Sequence, residues 1–263
     1  IREVSVRVRV RIMALGELMA TRLSAEFLRS VDVPVEWLDA RDLLTSASKS
    51  GGRRERDYLS ARCDFAPDQS LQDHLRAIDK VILTQGFIAR NEWGETVLLG
   101  RGGSDTSAAY LAARLQARRL EIWSDVPGMF TADPRVVPSA RLLLALRYDE
   151  AQELASAGST VLHPRCLSPL RPYKIPLFIR CTSAPAMSGT VVSSVTEEVE
   201  PQVKGICLRN GLTLISMDGI GIWHEVGFLA RAFAVFSEHN VSIGLVSTSE
   251  TNVTVSIDTA DGM

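Results

Sequence analysis

Between Lys80 and Thr182, short apolar runs rich in β-branched residues each end on glycine or a polar pair and lead into a turn or an amphipathic helical segment. "KVILTQGFIA" reads as a buried strand running into Gly86, and "RNEWGE" as a hairpin turn before "TVLLG". After a glycine loop comes a helix with Ala108, Leu111, Ala112 and Leu115 on one face. "RRLEIWSDV" is the next strand and "PGMFTADPR" a loop. Asp149 and Gln152 form a capping box for "EAQELASAG", Gly158 stops that helix, and "IPLFIRCT" is a further strand. Strands alternating with helices predict an α/β fold with a mainly parallel sheet and helices on both faces. Ligands of such sheets sit beyond the carboxyl ends of the strands.

Upstream, Leu15, Leu18, Met19, Leu23 and Phe27 recur at helical spacing and predict an amphipathic helix ending before Pro34, followed by the strand "VPVEWLDA". Arg41 to Asp68 is polar around "SKSGGRRERD" and reads as a mobile, solvated loop. The pattern breaks in the acidic stretch "SSVTEEVEPQVK", which places a linker over 195–204 between a larger domain (1–194) and a smaller one (205–263). In the smaller one, "GLTLISMDG" is a strand and "VGFLARAFAVFSEHN" a helix with Phe228, Leu229, Ala232, Phe233 and Phe236 on one face. "VSIGLVSTSE" and "TNVTVSIDT" complete a β-α-β-β order, most of a small α+β unit.

Composition narrows the partners. With 263 residues and 46% apolar content the chain has material for a sizeable core. A net charge of −2 gives no electrostatic case for nucleic acid or an anionic membrane. No apolar run approaches a membrane span. The four cysteines are scattered without metal or disulfide spacing and read as reduced, cytoplasmic thiols. Both ends, "IREVSV" without an initiator Met and "TADGM" just after a strand, read as cuts through a longer protein.

Two stretches carry chemistry. In "LLGRGGSDTSAAYLAARL", Gly100, Gly102 and Gly103 permit close backbone approach, and the helix start offers N–H groups to an anion. Arg101 offers a planar fork suited to a carboxylate. A plain turn, with Ser104 or Asp105 capping the helix and Arg101 solvated, fits the same letters. In "SDVPGMFTADPR", Ser124 and Asp125 end a strand where a ribose, base or metal-bound phosphate would sit, and Arg135 would neutralise phosphate charge. Ordinary turns at Pro127-Gly128 and Asp133-Pro134 fit equally. His163 and His224 read as packed or capping residues rather than ligands.

Together with "TQGFIA" and "VLHPRCLSPL", these motifs in this order resemble the aspartate kinase branch of the amino acid kinase family; "ALGELMATRLSAEFL" resembles its upstream Gly-Glu helix and "GFLARAF…HNVSIGLVSTSE" its regulatory ACT domain. The resemblance covers nearly the whole chain. It implies a three-layer α/β/α kinase domain followed by ACT modules, and transfer of the γ-phosphoryl of MgATP to the β-carboxylate of L-aspartate in lysine, threonine and methionine biosynthesis. By that likeness Glu17 meets the substrate ammonium and Arg101 a substrate carboxylate, with Gly102, Gly103 and Ser104 beside it. Asp105 helps hold the ammonium or organises the site. Ser124, Asp125, Arg135 and Val161 line the nucleotide, and Mg²⁺ arrives on its phosphates rather than in a protein cage. A carboxylate nucleophile is already ionised, so positioning and charge neutralisation are the catalysis expected.

The chain departs from the family pattern at three places. The family's N-terminal Lys-Gly-Gly phosphate motif is not in these residues, Phe130 stands where tyrosine is usual, and Thr160 stands where many members have lysine. These departures keep open a kinase-like, amino-acid-sensing protein without turnover, or a related carboxylate kinase. The ACT resemblance implies an amino-acid effector near Gly227, Phe228, Leu229, Ser249 and Glu250, at a homodimer interface between ACT units. Lysine-regulated relatives carry aspartate where this chain has Gly244, so weak lysine control is expected.

Overall fold

The computed structural model describes residues 4–47, 54–159, 161–194, 203–219, 226–239 and 241–258. Thr160, His224 and most of the expected linker lie outside them. The chain divides into two compact units, 1–207 and 208–263. Residues just before that division pack on the first unit: the Ile206 N–H donates to the Thr131 carbonyl at 2.8 Å, and Lys204 pairs with Glu150 at 2.7 Å.

The first unit opens with α1 (Val6–Ser30), β1 (Val35–Trp37), α2 (Ala40–Leu43), α3 (Arg54–Leu59) and α4 (Gln69–Arg76). The expected apolar stripe of α1 is not its packed face: Leu15, Met19, Leu23 and Phe27 are exposed, while Val10, Ala14 and Ala25 are buried. Small residues let the helix approach its sheet closely, and side-chain size, not hydropathy alone, chose the contact. Residues 48–53, the centre of the expected solvated loop, lie outside the described residues, but the flanks on either side are packed. Leu43, Leu44, Ala61 and Cys63 are buried against the next hairpin, and the Ala61 N–H donates to the Leu98 carbonyl at 2.8 Å.

"KVILTQGFIA" forms two strands rather than one. β2 (Val81–Leu83) pairs parallel with β1, and β3 (Ile88–Arg90) pairs antiparallel with β4 (Thr96–Leu98). The chain turns between them at Phe87, which takes a positive φ of 68°. α5 (Gly103–Arg114) buries Thr106, Ser107, Ala109, Tyr110, Ala112 and Ala113; of the expected face Ala112 is buried and Leu111 packs on the core, so the buried surface is wider than expected. β5 (Leu120–Ser124), β6 (Ala145–Arg147), α6 (Tyr148–Ala157), α7 (Leu167–Leu170), β7 (Leu177–Cys181) and β8 (Thr190–Ser193) follow. Their sheet runs β5-β7-β8-β6, with β5–β7 and β6–β8 parallel and β7–β8 antiparallel. β6 and β8 were not expected from the sequence. The box on α6 uses Glu150, whose carboxylate accepts from the Arg147 N–H at 2.8 Å, instead of Asp149 and Gln152. One core spans this half: Met129, Leu146, Leu167, Leu170, Leu177 and Ile179 are almost wholly buried.

The second unit has β9 (Leu212–Asp218), α8 (Phe228–Glu238), β10 (Ile243–Thr248) and β11 (Asn252–Asp258), with β11 central and antiparallel to both neighbours. Phe228, Leu229, Phe233 and Phe236 pack on Val253 and Val255, the face expected for α8.

Candidate active site

The glycine loop joins β4 to α5. Gly102 is the N-cap of α5 with φ 64°, and no side chain caps the helix. Ser104 and Asp105 therefore lie inside its first turn, which sets aside the plain capped turn. The first-turn N–H groups are left facing the loop, beside the exposed Arg101.

Close packing fixes the loop on three sides. A Cβ at Gly86 would lie 2.8 Å from Ser104 Oγ, one at Gly103 2.6 Å from Phe87 Cδ2, and one at Gly102 would run into the imidazole of His163. Asp105 is half-buried, and burial pushes its carboxyl above the ordinary value while the His163 backbone N–H, donating to it, pulls it down. Burial, Arg165 and Arg101 in turn hold the His163 imidazole below its usual range, so it stays neutral. His163 acts as a packing and capping residue: its Nδ1 accepts from the Arg165 N–H at 3.2 Å.

The helix that bears Glu17 is tied to the strand end before Gly86 through Thr21 and Gln85. The Thr21 hydroxyl, one turn further along α1, donates to the Glu17 carbonyl at 2.8 Å and accepts from Gln85 Nε2 at 2.9 Å. Gln85 Oε1 accepts from the Ala40 N–H at 2.8 Å, and the residue is buried. Since Gln85 precedes Gly86, this amide sets both the helix carrying Glu17 and the strand end that Ser104 packs against. The sequence motif contained Gln85, yet no role was assigned to it; a polar residue in an apolar run was the available signal.

The second loop begins where β5 ends. Ser124 Oγ accepts from the Val126 N–H at 3.1 Å and lies 3.2 Å from Asp125 Oδ1. The Ser124 carbonyl receives the Thr182 N–H at 2.9 Å, bringing the ends of β5 and β7 together. Arg135 is exposed and paired with Asp133 at 2.9 Å, although Asp125 also acts on it. Val161 is half-buried against the core of this half. The buried Thr190 anchors the loop, accepting from the Met129 N–H at 2.9 Å and donating to the Leu143 carbonyl at 2.7 Å. That anchor lies on a strand the sequence did not announce.

In the second unit, β9 and β10 both run antiparallel to β11 and so end at one edge. The turn containing Ser249 and Glu250 lies at that edge, and Gly227 is the left-handed N-cap of α8. Phe228 and Leu229 belong to the core there.

A glycine loop leading from β4 into α5, a second loop after β5 and a separate β-α-β-β unit define an α/β fold followed by a smaller α+β unit. A family model described as the amino acid kinase family matches residues 2–181, and an ACT domain model matches residues 215–263. The chain belongs to the amino acid kinase family. It is 40% identical over 244 residues to the lysine-sensitive aspartokinase 3 of Escherichia coli, covering 93% of this chain and 53% of that protein. It is 45% identical over 180 residues to a bifunctional aspartokinase/homoserine dehydrogenase of Haemophilus influenzae, covering 68% of this chain and 22% of that one. The crystal structure of E. coli aspartokinase III with aspartate and ADP superposes with a TM-score of 0.84 at 37% identity, over 98% of this chain and 56% of that one. The chain thus spans about half the length of the E. coli relative it matches. Among the described residues no helix is long and apolar enough to cross a membrane.

Proposed function

We propose that the chain is the larger part of a cytoplasmic aspartate kinase, transferring the γ-phosphoryl group of ATP to the β-carboxylate of L-aspartate. The observation that carries this reading is the glycine loop. An exposed Arg101 beside an uncapped helix start suits a carboxylate, and Glu17 and Asp105 supply negative charge for an ammonium. A zwitterion with a second carboxylate matches that set. The E. coli structure with aspartate and ADP supports the same pairing of substrates.

Ser124, Asp125, Arg135 and Val161 form the nucleotide side. A magnesium ion would arrive on the phosphates of the nucleotide, with Asp125 the nearby acid at the end of β5. Its chemistry is to screen phosphate charge. Arg101 and the helix start hold the nucleophilic carboxylate in line, and no base is needed because that group is ionised. For Arg135 to reach a phosphate it must leave Asp133, a move its exposure permits. Aspartate-dependent ATP turnover, with hydroxylamine trapping the acyl phosphate, tests the reading; ATP turnover indifferent to aspartate would refute it.

The second unit serves feedback by an amino acid held at the α8 N-terminus and the Ser249–Glu250 turn, between paired ACT units of a homodimer. A lysine-sensitive relative supports amino-acid control.

A further inference from the structure

We infer that Arg165 is a positioning residue for the carboxylate-binding loop. Its guanidinium Nη1 donates to the Leu99 carbonyl at 2.6 Å and to Ser60 Oγ at 3.2 Å, and Nη2 donates to the Ala61 carbonyl at 2.8 Å. Leu99 is fully buried and directly precedes Gly100 and Arg101. The β3–β4 ladder ends at the Ile88–Leu98 pair, so the Leu99 carbonyl lies past its last rung. The arginine fork supplies that carbonyl with a donor, and a buried carbonyl without one is costly.

The same short segment grips the loop twice more. His163, hydrogen-bonded through Nδ1 to the Arg165 N–H, fills the space against Gly102, and its own N–H holds Asp105. Three contacts from His163 and Arg165 thus reach the residue before the loop, the N-cap glycine that ends it and the first turn of α5. Arg101 itself is exposed, so the direction of its side chain depends on the backbone that Arg165 fixes. Lysine cannot replace the fork, because one ammonium on a flexible stem does not span two carbonyls in fixed directions. The effect is local to the aspartate side, because none of the fork's three partners belongs to the loop after β5.

This inference rests on the aspartate kinase reading, and its test separates the two. In the full-length protein, Arg165→Ala and Arg165→Lys are compared with the parent by amide hydrogen exchange and by steady-state kinetics. Arg165→Ala should speed exchange across residues 98–106 and raise the KM for aspartate, each by about tenfold or more, as the loss of charged hydrogen bonds implies. Exchange in β5 and β7 and the KM for ATP should stay within about twofold of the parent, and Arg165→Lys should fall between. Should Arg165→Ala not fold, the lysine variant carries the same comparison at smaller amplitude. Unchanged exchange over 98–106 would overturn the inference, as would equal rises in both KM values. A parent enzyme without aspartate-dependent turnover would refute the functional reading, leaving the exchange data to judge the clamp.

Discussion

Gln85 donates from its side-chain amide to the Thr21 hydroxyl across 2.9 Å, tying the strand end before Gly86 to the helix that bears Glu17. The same side chain accepts from the Ala40 N–H at 2.8 Å. Gln85→Leu keeps the volume but leaves the Ala40 N–H without its acceptor in the interior, while the Thr21 hydroxyl keeps the Glu17 carbonyl and Trp37 Nε1. It should lower unfolding stability by about 2–3 kcal/mol, read as a shift of the urea midpoint. Aspartate KM should rise as well, because the strand end before Gly86 loses its tie to α1; a variant as stable as the parent would show that the hub is dispensable.

Arg101→Ala should depress kcat/KM for aspartate by roughly 10²-fold while the fold remains, since it leaves a substrate carboxylate unpaired. Glu17→Gln should act in the same direction through the ammonium. Normal aspartate kinetics in a folded Arg101→Ala protein would remove that residue from the site.

Asp105 makes a pH-dependent prediction. Its carboxyl lies above the ordinary value because burial disfavours the charge. The folded state then binds that proton more tightly than the unfolded chain does. Stability from this group is present at low pH and is lost as pH rises from the ordinary carboxylate range through the raised value. Asp105→Asn should therefore unfold at higher urea than the parent at neutral pH, with the gain fading as the medium is acidified. Activity should fall by at least about tenfold in the same protein. An asparagine variant less stable at neutral pH would contradict the burial account.

For the regulatory unit, Gly244 sits where β10 breaks register against β11, and a Cβ there would approach Ser256 Oγ at 3.1 Å. That hydroxyl accepts from the Leu245 N–H at 2.9 Å and must give slightly. Gly244→Asp adds a carboxylate for a side-chain ammonium, worth about 1–3 kcal/mol or roughly tenfold to a hundredfold in lysine inhibition. Lysine titration of both forms measures it. Strong lysine inhibition in the parent that survives Glu250→Gln would place the effector elsewhere.

Local chemistry was legible where a residue type has one strong structural use. Gly102 and Gly227 both take left-handed N-cap positions, Gly94 closes the expected hairpin with φ 75°, and the phenylalanines of α8 line the expected core. What the sequence hid was the choice of partner. α1 has two apolar faces, and only packing reveals that Val10 and Ala14 meet Ile88 and Leu98 of the hairpin. β8 is four residues long, and nothing in its letters announces that the Thr190 hydroxyl bridges Met129 and Leu143. Arg165 lay within a quoted motif without a role, because its partners, the Leu99 and Ala61 carbonyls and the Ser60 hydroxyl, are far away in sequence.

The tight seating of Gly86, Gly102 and Gly103 against Ser104, His163 and Phe87 bears on the thermodynamics of ligand capture. A loop wedged before the ligand arrives has little conformational entropy left to lose, so aspartate need not order it. Coupled folding typically consumes about 2–5 kcal/mol of interaction energy, and this site avoids most of that expense. Calorimetry of aspartate binding should accordingly give a small heat-capacity change, on the scale of the ligand's own buried surface rather than of a refolding segment.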